Sequence, residues 1–139
     1  MNKLTLKYEL DLDFVLIAVT VSLKDYRLCY KINKQLGVEF YREDELILQL
    51  RPNEQHMFFN KFHYQIPDSE TDFYLLSNKG TEGFLIPEMK QADYFILIKN
   101  YIDDEDLEYF ITGINRIPEV LVAAEVDPKK LKSKENLIF

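Results

Sequence analysis

Residues 84–98 read FLIPEMKQADYFILI, and this stretch decides how the rest of the chain is parsed. Pro87 has no backbone donor, so it argues against a central ladder position, and Phe84 to Ile86 reads as a short strand or extended segment. Ala92 to Lys99 is a strongly apolar strand. The acidic run DDEDLE at 103–108 follows. Asp103 or Asp104 can cap a helix there, and an acid-rich first turn suits the positive end of the helix dipole. Leu107, Phe110, Ile111 and Ile114 recur at helical spacing, Arg116 falls in the last turn, and Pro118 stops the helix. VLVAAEV at 120–126 is the last strand. Residues 92–126 therefore predict strand–helix–strand, with a helix at about 104–116.

The same order appears near the start of the chain. FVLIAVTV at 14–21 is continuously apolar and β-branched, which reads as a central strand buried on both faces. Ser22 and Asp25 have the S-x-x-D spacing of a helix cap. Leu28, Cys29, Ile32 and Leu36 then give a helix over 23–36, closed by Gly37, where a positive φ is expected. Val38 to Tyr41 is a short strand. Upstream, residues 3–14 alternate apolar and polar as a half-buried strand, with a bend suggested by DLD at 11–13. Between the two units, Leu46 to Leu50 and His56 to Ile66 alternate on either side of RPNE (51–54), as a hairpin would. A loop at 66–72, a strand at 73–77 and the turn NKGTEG at 78–83 complete the chain. Two strand–helix–strand units in one chain predict an α+β fold. Both helices would lie on one face of a largely antiparallel sheet, in a split βαβ arrangement with inserted hairpins. The 139 residues fit a single domain, 1–139, with a basic tail at about 127–139.

The net charge of −7 disfavours binding to phosphate backbones. The tail side chains carry +2 and the remainder −9. With one cysteine, Cys29, no internal disulfide can form. Its place in an apolar helical pattern predicts a buried, inert thiol. The N-terminus lacks a signal-peptide pattern, and the longest apolar run is far shorter than the roughly 20 residues of a membrane span. A cytoplasmic protein without a membrane anchor is expected.

Ile86, Pro87, Glu88, then Ala92, Asp93 and Tyr94, resemble the signature of the IPExxxVDY family of bacterial proteins, with Ala92 where the family name has Val. SLKDYRLCYKINKQLG (22–37), FYLLSNK (73–79) and VDPKKLKSKENLIF (126–139) are similar to the family's helix, middle strand and C-terminal tail, so the resemblance covers most of the chain. Such proteins are typical of Bacteroidetes-type bacteria. The resemblance implies a bacterial cytoplasmic protein and carries no activity with it.

Candidate site residues fall into three groups. Glu88 and Asp93, with Tyr94, could flank a pocket as acid and base. Alternatively, Pro87, Glu88 and Asp93 shape the entry into strand 92–99, and Tyr94 packs with its hydroxyl bonded. The structural reading is favoured. His56 and His63, seven apart on one proposed strand, face opposite sides and do not suggest a metal site. No nucleophile elbow, phosphate loop or dinucleotide fingerprint is present. Neither a cofactor nor a metal is expected. Lys129, Lys130, Lys132, Lys134 and Phe139 are candidate partner contacts, set against a solvated tail tied down by Leu131, Ile138 and Phe139. The reading that follows is a non-enzymatic protein-interaction or regulatory module. It would use an exposed strand edge or aromatic patch, together with the tail, to bind another protein or itself. A small enzyme or ligand-binding domain at Glu88, Asp93 and Tyr94 is the alternative, and RNA or ribosome contact through the tail is a weaker one.

Overall fold

The computed structural model describes residues 12–48 and 55–139. The alternating run at 3–14 lies almost wholly outside them, as does the predicted turn at 51–54. Among the described residues six strands form one sheet: β1 (Val15–Val21), β2 (Tyr41–Arg42), β5 (Lys61–Gln65), β6 (Asp72–Ser77), β7 (Tyr94–Lys99) and β8 (Val120–Val126), in the order β2-β5-β6-β7-β1-β8. Every pairing in it is antiparallel. β3 (Leu46–Leu48) and β4 (Met57–Phe59) pair separately, with Leu46 opposite Phe59. Helices α1 (Asp25–Leu36) and α2 (Asp104–Asn115) complete the α+β domain.

β1 lies between β7 and β8 and is antiparallel to both. β7 and β8 are thus parallel to each other, and β7–α2–β8 is a split βαβ unit. β1 and β2 are also parallel, but β7, β6 and β5 separate them. The hairpins predicted between the two units supply those intervening strands.

The sheet is buried on both faces, as the unbroken apolar runs require. In β7, Tyr94, Ile96 and Ile98 face Leu28, Cys29 and Ile32 of α1 and Phe110 and Ile114 of α2. Phe95 and Leu97 face the other way, into a second cluster with Leu46, Phe59, Leu85, Ile86, Leu131 and Leu137. Helices therefore cover one face, while the small hairpin, the 84–92 segment and the tail cover the other. Full burial of one Leu stabilises by about 1.5–3 kcal/mol. Burial of Leu131 and Leu137 fixes the tail to the second cluster. The tail is part of the packed domain.

Several boundaries differ from the sequence reading. α1 begins at Asp25, not at 23, and Ser22 does not cap it: Lys24 is the N-cap and its side chain makes no capping bond. The Asp25 carboxylate instead accepts from the Tyr26 amide and from Asn60 Nδ2. Gly37 takes φ 66°, ψ 35° as expected. Asp103 caps α2 by accepting from the Asp106 amide, 2.8 Å, and the helix ends at Asn115 with Arg116 just beyond it. The strand at 38–41 shrinks to Tyr41–Arg42, because Asn33 holds the Phe40 backbone on both sides: Phe40 N–H donates to Oδ1 and Nδ2 donates to Phe40 C=O. The alternating run 56–66 is two strands in two different sheets, broken at Asn60.

Candidate functional site

The 84–94 segment is organised by a residue upstream of it. Asn78 is fully buried. Its Oδ1 accepts from the Ile86 amide (2.8 Å), and its Nδ2 donates to the carbonyls of Met89 (2.9 Å) and Ala92 (2.8 Å). Its own backbone donates to Asp93 C=O and accepts from the Leu85 amide. One side chain thus supplies the hydrogen bonds that this irregular, buried backbone would otherwise lack. Pro87 opens a short 3-10 turn, Pro87–Met89, where its missing donor costs nothing. Ile86 and Ala92 are buried in the second cluster.

The three polar residues of the segment point to different parts of the fold. Asp93 carboxylate accepts from the Val21 amide (2.8 Å), and its own amide donates to Val19 C=O. Tyr94 OH donates to Leu23 C=O (2.7 Å). Burial raises the Tyr94 phenol above its ordinary range, with Asp25 and Asp93 adding to the effect. Both residues therefore pin the β1–α1 connection. They line an open hollow with Ser22, Lys24, Ser77 and Lys79, of which Glu88 is not part. Glu88 faces the tail and accepts from Ser133 N–H (2.8 Å) and Ser133 Oγ–H (2.9 Å). Partial desolvation raises its pKa, but the bonds from Ser133, Lys132 and its own backbone outweigh that and hold the carboxyl below the usual range. Glu88 therefore does not converge with Asp93 and Tyr94.

The tail is held along its whole length. Asn136 Nδ2 donates to Leu85 C=O (2.8 Å), and Lys99 Nζ donates to Phe139 C=O (2.8 Å). The Phe139 ring meets Tyr74 edge-on at 5.2 Å and lies 4.1 Å from Lys99 Nζ. The buried anchors are Leu131 and Leu137, while Ile138, expected to pack, is 40% exposed. Lys129, Lys130 and Lys132 are exposed, and Lys134 is half-buried.

The histidines are also placed differently from the sequence reading. His56 precedes β4 and His63 lies in β5, so the two do not share a strand. His63 Nε2 lies 2.6 Å from Asp72 Oδ1, its Nδ1 2.9 Å from Glu43 Oε2, and its ring stacks on Tyr74 at 4.6 Å. Among the described residues no three His, Cys, Asp or Glu side chains are placed to hold a metal, and no helix is long and apolar enough to cross a membrane. Cys29 is buried, and burial pushes its thiol up to about 11.

At the far edge of the sheet, β8 pairs among the described residues only with β1. A register shift opposite Thr20/Val21 puts Leu121 in a bulge. Leu121 is 80% exposed and Val122 46%. Val120 and Ala123 face the helices, and Val126 packs against the edge of the second cluster. Val122 and Ala124 share the face of Val126, yet the second layer leaves them exposed. Ala123 has its backbone turned away from β1: its N–H donates to Asn115 Oδ1 (2.9 Å) and its C=O accepts from Asn115 Nδ2 (2.9 Å).

Neither this edge nor Asn78 was singled out from the sequence. An asparagine near the end of a helix, where it is a poor helix former, marks Asn33 and Asn115. Nothing local marks Asn78, which sits in what reads as an ordinary turn.

No family model matches the chain, and no curated protein matches it.

Proposed function

We propose that this chain is a non-enzymatic protein-interaction module whose contact surface is the β8 edge. The observation that carries this reading is the adjacent exposure of Leu121 and Val122 on a strand that has one neighbour among the described residues. The expected partner is a protein that lays an extended apolar segment beside β8. Its main chain extends the ladder, and its side chains cover Leu121 and Val122. The commitment of Glu88, Asp93 and Tyr94 to bonds with three separate parts of the fold supports an architectural role for the IPExxxADY segment over a site. Membership of the IPExxxVDY family, and with it a bacterial cytoplasmic setting, rests on residues 86–94 and the flanking segments themselves.

The test uses the full chain as bait in bacterial lysate, alongside Leu121→Lys and a variant with Lys129, Lys130 and Lys132 changed to Glu. A captured protein lost with Leu121→Lys, kept by the tail variant and slowing amide exchange in 121–125 supports the reading. Capture that survives Leu121→Lys but fails with the tail variant overturns it in favour of the tail.

A further inference from the structure

A side-chain amide that accepts from a backbone N–H and donates to the C=O of the same residue reproduces what a neighbouring strand does. Asn115 makes that pair of bonds to Ala123, both at 2.9 Å. Its carboxamide makes the bonds that the peptide group of a neighbouring strand would make. Backbone groups alternate in direction along a strand. With Ala123 turned outward, the Glu125 peptide is turned outward too, and those of Val122 and Ala124 face β1. Beyond Val122 the bulge at Leu121 disrupts the ladder. Among the described residues, the open edge of β8 therefore consists of two peptide groups, at 123 and 125, and Asn115 occupies one of them.

We propose that Asn115 is a gate that keeps β8 from pairing with β8 of a second copy of this chain. The sequence of β8 suits such pairing once the gate is removed. In an antiparallel register centred on Ala124, Ala123 of each copy meets Glu125 of the other. The two copies then exchange four backbone hydrogen bonds. Ala124 faces Ala124 at the axis, where the strands approach most closely and a small side chain is needed. The one charged residue, Glu125, meets Ala123 and not its own copy, so no like charges are opposed. Both bonded pairs use an Ala123 peptide, so a second copy must displace two Asn115 side chains at once. A different partner strand displaces only one and returns equivalent bonds. The proposal deepens the reading of β8 as a docking edge, and its test is independent of any partner.

Asn33 makes the same pair of bonds to Phe40, clasping α1 to the start of β2. A clasp that only tied α2 to β8 would change stability on removal and leave the oligomeric state alone. The experiment is sedimentation equilibrium of the full chain as wild type, Asn115→Ala and Asn115→Ala/Ala124→Lys, with residue-level hydrogen exchange. Ala124 is exposed, so the lysine is tolerated in the monomer and places two like charges face to face on the axis. The expected result is a monomeric wild type with a slow Ala123 amide and a fast Glu125 amide. Asn115→Ala approaches twice the monomer mass, with the Glu125 amide slowed at least about tenfold, and the double variant returns to monomer. A folded Asn115→Ala that stays monomeric overturns the proposal, as does a dimer that persists in the double variant. If Asn115→Ala does not fold, Asn115→Asp replaces it, keeping the bond from Ala123 N–H and losing the one to Ala123 C=O. Partial dimerisation supports the gate, and a wild-type Ala123 amide exchanging as fast as Glu125 overturns it.

Discussion

Replacing Asn78 with Ala removes three side-chain hydrogen bonds at once, to Ile86, Met89 and Ala92. Each contributes about 1 kcal/mol net. The loss also strands the Ile86 N–H, which belongs to a fully buried residue, and an unmet buried donor costs a further ~1–3 kcal/mol. The expected destabilisation is about 4–6 kcal/mol, a large part of the roughly 5–15 kcal/mol that holds a domain together. At a urea slope of ~2 kcal/mol/M this lowers the unfolding midpoint by about 2–3 M. Asn78→Asp sharpens the test. It keeps an acceptor for Ile86 but sets a carboxylate oxygen against two carbonyls, so at pH 7 it destabilises at least as much as Ala. At pH 4 partial protonation returns one donor, and the gap to wild type narrows. The assay is urea unfolding followed by circular dichroism, with exchange rates for the Leu85 and Ile86 amides. A loss below ~1 kcal/mol for Asn78→Ala would refute the reasoning, because water or a rearranged loop would then be serving those backbone groups equally well.

Gly80→Ala is expected to destabilise by ~1–3 kcal/mol by overpacking, since its Cβ would stand 2.5 Å from the buried Phe59 ring and 2.7 Å from Phe58 C=O; thermal unfolding measures it. Leu121→Lys is expected to change stability by less than ~0.5 kcal/mol, because the side chain is 80% exposed, and a larger shift in the urea midpoint would mean that Leu121 packs in solution. The Glu88 carboxyl is held below its usual range in the fold. Its bond to Ser133 is therefore present above the ordinary Glu range and is lost as pH falls through the depressed value. Protection of the Ser133 amide should follow that acid limb in wild type and be flat in Glu88→Gln. Cys29, buried with its thiol raised to about 11, should react with a thiol reagent at pH 8 only as the chain unfolds; fast labelling of the native protein would contradict its placement.

What the sequence disclosed was mostly set by short-range chemistry. Asp103 before an acidic turn and Gly37 after the last apolar helical position mark helix ends because capping bonds and a positive φ are local requirements. The unbroken apolar runs of β1 and β7 announce burial on both faces, and the second strand–helix–strand unit announces the split βαβ layout, whereas three other strands separate the two strands of the first. The break at Asn60 was illegible, because alternation continues across it while the strand changes sheet, and sheet membership is a long-range property. Ser22 and Asp25 had the right spacing for a cap, yet Asp25 is engaged by Asn60, 35 residues away. Asn78 was illegible for a related reason: a buried amide that organises a loop looks in sequence like any turn asparagine. The motif 86–94 drew the eye toward Glu88, Asp93 and Tyr94, whereas the exposed apolar pair Leu121 and Val122 lies on β8, which reads simply as a strand.

The most direct test is residue-level amide exchange of the full chain, free and with the protein it captures. Protection gained at residues 121–125, with 86–94 and 129–134 unchanged, is the predicted result. Protection confined to 86–94 or to the tail lysines, with β8 exchanging as in the free chain, would contradict the assignment of β8 as the contact surface.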